Sequence, residues 1–164
     1  MTDIDRGSRG RRALAAVAAL AAVQAGVVSR PQVYAAGMTR GQVRAEVRAR
    51  RWHRVSSQVL AVHTGELAGA ALLWSAVLEA GPRALLDGSS SLIAGGLEHF
   101  TERSVRVSVP KGTRVRRARG VNIRETRRWS LDDAHPTGIP RTRNLVATIE
   151  PRCGRSPTSR RHCW

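Results

Sequence analysis

Apolar and polar positions recur with helical spacing over the first third of the chain. The alanine-rich run from Arg11 to Gln24 places its larger apolar side chains on one face, which predicts a half-buried helix. A short second helix is predicted after the N-cap residue Ser29, and Pro31 lies at an early helical position where its missing N–H costs little. A third helix is predicted from Arg40 to Arg51 after a second N-cap residue, Thr39. This order is typical of a helix-turn-helix.

The third helix presents three different faces. Val43 and Val47 stand four apart and predict a core-facing side. An adjoining stripe is entirely basic, and a strip of glycine and alanine beside it lets the backbone approach another surface closely. The stripe consists of Arg40, Arg44, Arg48 and Arg51. Because the guanidinium fork suits phosphate oxygens or a guanine edge, and a helix fits the major groove, we expect contact with duplex DNA. A solvated charged face is the alternative.

The periodicity changes after the third helix. Residues 52–62 are β-prone and are interrupted by Ser56 and Ser57, which predicts a two-stranded wing. Helical spacing returns over residues 67–78, and Gly81 is expected to end this helix. Asp87 can cap another short helix. This middle part is interpreted as a packed scaffold.

From Ser104 the period is two. Val105 to Val109 and Val121 to Arg124 alternate apolar with polar residues, and a ten-residue basic loop separates them. A β-hairpin is predicted, and its loop is a candidate for phosphate binding without sequence reading. The alternative, that these residues form only a long solvated loop without a ligand, remains open. The loop arginines are Arg114, Arg116, Arg117 and Arg119.

Composition and charge narrow the class of partner. The 164 residues carry a net charge of +16, and all but one of the 28 basic residues are arginine. The charge is uneven, with +8 over residues 1–63, −3 over 64–103 and +11 over 104–164. A balance this basic indicates a polyanionic partner or an anionic membrane face. Only 4% of the residues are aromatic, which makes base stacking on single-stranded RNA a poor mode.

Five segments between about Ala13 and Arg143 follow a family pattern. They are QAGVVSRPQVYAAGMTRGQVRAEVRARRWHRV, AVHTG, WSAVLEAGPRALLDGSSSLIAGGL, VRVSVPKGTRVRRARGVNIRETRR and DDAHPTGIPRTR. In this order they resemble actinobacterial antitoxins of the AbiEi type, which carry an N-terminal winged helix-turn-helix and a middle domain and often end in a Vsr-like nuclease-fold domain. The resemblance implies DNA binding, transcriptional control and a toxin partner at operon level. It places in the helix-turn-helix Arg30, Gln32, Thr39, Arg40, Gln42, Arg44 and Arg48.

The chain departs from that pattern in two places. Gln58 and Leu60 stand where relatives usually show glycine and tyrosine, so the wing is expected to be less well formed. Residues 150–164 are rich in arginine, serine and proline and replace an alanine- and leucine-rich helix, so disorder is predicted there. A shift of reading frame near the end of the gene is one hypothesis for this tail, and sequencing of the locus tests it.

Residues suited to catalysis are few. Asp132, Asp133 and His135 share one short loop and are read as a capped turn. Cys153 and Cys163 are too few for a closed zinc site. We therefore expect no enzyme activity, no cofactor and no metal. Cysteines confined to the tail suit a reducing cytoplasm. A basic segment before the alanine-rich run also resembles a signal peptide, but that run is weakly hydrophobic and too short to span a bilayer.

The predicted fold class is α+β. The expected organisation is a disordered basic N-terminus over 1–12, a winged helix-turn-helix over 13–63, a mixed α/β middle domain with a β-hairpin over 64–149, and a disordered tail. Three functions stay open: a sequence-specific regulator, a nuclease remnant that binds DNA without preference or cleavage, and a general nucleic-acid binder. A homodimer is also an open alternative, because two-fold dimers are common for this motif.

Overall fold

The first helix is longer than its apolar pattern indicates. In the computed structural model, which describes residues 3–115 and 118–143, α1 runs from Asp3 to Val23. The prediction of disorder over 1–12 is therefore wrong from residue 3 onward. Helix propagates readily from the alanine-rich part, and the added segment comes close to the rest of the protein at Gly10, where a Cβ would lie 2.8 Å from Nε2 of Gln42.

A three-stranded sheet and two short helices complete the N-terminal part. The elements are β1 (Val27–Ser29), α2 (Arg30–Ala35), α3 (Arg40–Arg48), β2 (His53–Arg54) and β3 (Val59–Ala61). Both β1 and β2 pair antiparallel with β3, so the strand order is β1-β3-β2. The two predicted helices and the predicted strand pair are confirmed, whereas β1 was not expected as a strand.

The third helix ends earlier than predicted. α3 stops at Arg48, and Arg50 adopts a left-handed φ of 55°. The chain leaves the helix because Trp52 is buried in the core that α1, α2 and α3 share. Arg51 therefore lies in the turn that follows α3 rather than on its helical stripe.

A second sheet lies in the C-terminal part. Its elements are α4 (Ala70–Ala80), β4 (Leu85–Leu86), α5 (Gly88–Ala94), β5 (Val105–Pro110) and β6 (Val121–Thr126), with strand order β4-β5-β6. The described residues thus form a mixed α+β fold of five helices and two small sheets. The predicted helices α4 and α5 are confirmed, and Asp87 caps α5.

The predicted β-hairpin is wrong, because β5 and β6 run parallel. Val105 pairs with Val121 and Pro110 with Thr126. Ten residues can span about 33 Å, and a six-residue strand is about 20 Å long, so the basic loop is long enough to return along the sheet. A period of two records which face each side chain occupies but carries no information on strand direction.

α4 packs against both sheets. Its Ala71, Trp74 and Leu78 belong to a cluster with Val27 and Val59 of the first sheet. Its Ala76, Val77 and Ala80 pack with residues of the second sheet. The sequence boundary at residue 63 therefore does not separate the apolar contacts of the two parts.

The predictions for residues 144–164, including the disordered tail and its cysteines, lie outside the described residues. Across the part that the structure describes, no helix is long and apolar enough to cross a membrane.

Candidate nucleic-acid interface

The starts of α2 and α3 are fixed by the same device. Ser29 and Thr39 each accept the backbone N–H of the residue three places on, and the side chains of Gln32 and Gln42 accept the N-cap N–H in return, both at 2.8 Å. These reciprocal bonds are capping boxes, which satisfy helix donors that otherwise lack partners. The side-chain oxygens of Gln32 and Gln42 are thus engaged in positioning their helices.

α3 turns its valines inward and its arginines outward. Val43 is buried, and Val47 packs against the same core. Gly41 and Ala45 are exposed between the arginines, and a Cβ on Gly41 would meet only Thr39, at 3.8 Å. The outer face of α3 is therefore a nearly bare strip of backbone flanked by guanidinium groups.

A groove of about 400 Å³ lies between α2, α3, β2 and the turn that follows β2. Every charged residue that lines it is an arginine. These are Arg30, Arg40, Arg44 and Arg54, accompanied by Pro31, Tyr34, Val43, Val47 and Gln58. Four guanidinium groups around one concave surface create a positive potential that attracts phosphate. Arg48 is exposed but does not line the groove.

Arg51 is held by a carboxylate. Its Nε and one terminal nitrogen donate to the two oxygens of Glu46 at 2.6 and 2.9 Å, a bidentate pair. The hydrogen bond and charge of Arg51 hold the pKa of Glu46 below its ordinary value, and Glu46 in turn raises the pKa of Arg51. A phosphate would have to compete with Glu46 for this fork, so Arg51 is a weaker candidate than the groove arginines.

The turn between β2 and β3 is tied down from two directions. Arg30 donates its backbone N–H to the carbonyl of Gln58 at 2.8 Å and its Nε to the carbonyl of Ser57 at 3.0 Å. Glu79 of α4 accepts hydrogen bonds from the hydroxyls of Ser56 and Ser57 and from the N–H of Gln58. Although β2 and β3 are short, the turn that connects them is held by Arg30 of α2 and Glu79 of α4.

The described residues on both sides of positions 116–117 place parts of the basic loop beside this turn. A second groove, of about 490 Å³, contains Arg114 together with Pro31 and Gln58, which also line the arginine groove. On another side, Arg119 lines a groove with Ser56, Ser57 and Glu79. The structure therefore brings arginines from two distant parts of the sequence to one neighbourhood. Arg116 and Arg117 lie outside the described residues.

Sequence reasoning missed several of these residues. Arg54, Gln58 and Glu79 were not among the predicted contacts, because their place depends on how the two sheets meet across α4. A signal for the capping boxes was present, since SRPQ and TRGQ both have the S/T-x-x-Q spacing.

The described residues include no group of three or more His, Cys, Asp or Glu placed to hold a metal ion. Asp132 instead accepts from Ser130, and His135 bonds to the carbonyl of Thr137. No protein-family model matches the chain, and comparison with curated proteins gives no significant match. The likeness to AbiEi-type antitoxins rests on the sequence segments alone.

Proposed function

We propose that this protein is a DNA-binding transcriptional regulator that uses a winged helix-turn-helix in residues 13–63. The order α1, β1, α2, α3, β2, β3 with central strand β3 supports this proposal. In such an arrangement the second helix of the motif enters the major groove and the strands flank the backbone.

The observation that carries the proposal is the arginine groove beside the bare face of α3. Arg44 lies at the middle of α3 and is our candidate for reading base edges. Arg30 and Arg54 come from the elements on either side and are our candidates for gripping phosphates, with Arg114 extending the track. Binding rather than catalysis is the role proposed for the whole chain.

A regulator of its own operon, paired with a toxin, is the finer form of this proposal and rests on the family resemblance. The competing form is a nuclease remnant that holds DNA without sequence preference. The proximity of Arg114 to the arginine groove favours tight phosphate contact under either form. The two differ in whether α3 discriminates between bases.

The test is a binding titration on the DNA upstream of the protein's own gene and on an unrelated duplex of equal length. We expect saturable binding with preference for the upstream DNA, and Arg44→Ala should cost about 1–3 kcal/mol on that DNA only. Arg103→Ala is the matched control, because Arg103 is exposed beside Glu102 and Ser104, which line a separate groove at the opposite end of α4. An equal loss of affinity on both duplexes favours the non-specific form. If the wild-type protein binds neither duplex, the proposed function is refuted.

A further inference from the structure

Glu79 is a buried carboxylate with an unusual set of partners. It is 8% exposed and lies near the end of α4, on the side that faces the β2–β3 turn. Its three hydrogen bonds, from Ser56 Oγ at 2.5 Å, Ser57 Oγ at 2.7 Å and Gln58 N at 3.0 Å, all come from this one turn. A buried charge is costly unless several donors satisfy it, and here all of these donors belong to consecutive residues.

The bonds fix the conformation of the turn. The Ser56 hydroxyl donates to Glu79 and accepts the N–H of Val59, so its orientation is set on both sides. The carbonyls of Ser57 and Gln58 face the other way and accept from Arg30. Donors of the turn are thus held by α4, and acceptors are held by the first residue of α2.

The same turn carries residues of the candidate interface. Gln58 lines both the arginine groove and the groove that contains Arg114. Arg54 lies in the strand that leads into the turn, and Arg30 is hydrogen-bonded directly to the turn at Ser57. A shift of the turn would therefore move Gln58 and alter the spacing of Arg30 and Arg54.

We propose that Glu79 is a positioning residue for DNA binding: from α4 it holds the β2–β3 turn in the form that presents Arg30, Arg54 and Gln58 to the duplex. This inference rests on the proposed function. It makes the affinity of the N-terminal part depend on the middle part of the chain, through hydrogen bonds rather than through a direct contact between Glu79 and DNA.

The test compares Glu79→Leu, which keeps a similar volume but removes every acceptor, with Glu102→Leu. Glu102 is a matched control, because its carboxylate also accepts from two serine hydroxyls, those of Ser89 and Ser90, at the start of α5. We expect both variants to lower the thermal midpoint. Only Glu79→Leu should weaken binding to the upstream DNA, by about tenfold. Glu79→Gln retains one acceptor oxygen and should restore most of the affinity.

Amide hydrogen exchange gives a readout that needs no DNA. The Gln58 N–H should exchange faster in Glu79→Leu and keep its wild-type rate in Glu102→Leu. If Glu79→Leu fails to fold, the double variant Ser56→Ala, Ser57→Ala removes two of the three donors from the other side, leaving the Gln58 N–H, and should also weaken binding. Unchanged DNA affinity in folded variants overturns the inference. A wild-type protein that binds no DNA refutes the proposed function instead, and the exchange rates then report whether Glu79 still holds the turn.

Discussion

The dependence of DNA affinity on salt is the most direct quantitative consequence of the arginine groove. Cations that neutralise phosphates release condensed counterions, so the logarithm of the association constant falls linearly with the logarithm of salt concentration. Five arginines line the groove and its extension: Arg30, Arg40, Arg44, Arg54 and Arg114. Because Arg44 is assigned to base edges, the other four are counted as phosphate contacts, and the slope is then about −3.6 for B-DNA. Raising the salt from about 50 to about 200 mM should then weaken binding about 150-fold.

Single substitutions measure how much each arginine contributes to this slope. Arg54→Ala should make it shallower by about 0.9, because one phosphate contact is lost. Arg103→Ala removes the same charge from the opposite end of α4 and should leave the slope unchanged. Fluorescence anisotropy with a labelled duplex at several salt concentrations measures both. A wild-type slope shallower than about −2, or equal changes in the two variants, would refute the assignment of these arginines to the interface.

Two further predictions concern α3 and the turn after it. Thr39→Ala removes the capping box of α3 and should lower the free energy of unfolding by about 1 kcal/mol in a urea titration. Thr39→Ser keeps a hydroxyl at this position and should retain most of the wild-type stability. Equal losses in the two variants would contradict the capping role. Because Arg51 lowers the pKa of Glu46, their pair stabilises the fold above the ordinary pKa of that carboxyl, and this contribution is lost as pH falls through the lowered pKa. Thermal midpoints of Arg51→Ala should therefore fall less steeply than wild type below about pH 5, and identical acid limbs would show that the pair contributes nothing.

The sequence by itself determined the local structure of the N-terminal part. Ser29 and Thr39 could be identified as caps, and Val43 and Val47 as the inward face of α3, because capping and helical spacing depend on residues within a few positions of one another. The arginine stripe followed from the same spacing, apart from Arg51. The helix ends before that residue because Trp52 enters the core, and core packing is not visible in a local pattern.

Only the tertiary structure decided how the second basic segment is used. Alternation predicted both β5 and β6, but the energies of parallel and antiparallel pairing depend on partners far away in sequence. The parallel arrangement returns the loop along the sheet, and Arg114 and Arg119 come to lie beside the β2–β3 turn. Glu79 reaches that turn from α4 for the same kind of reason, because 21 residues separate it from Gln58 and only the packing of α4 between the two sheets brings them together.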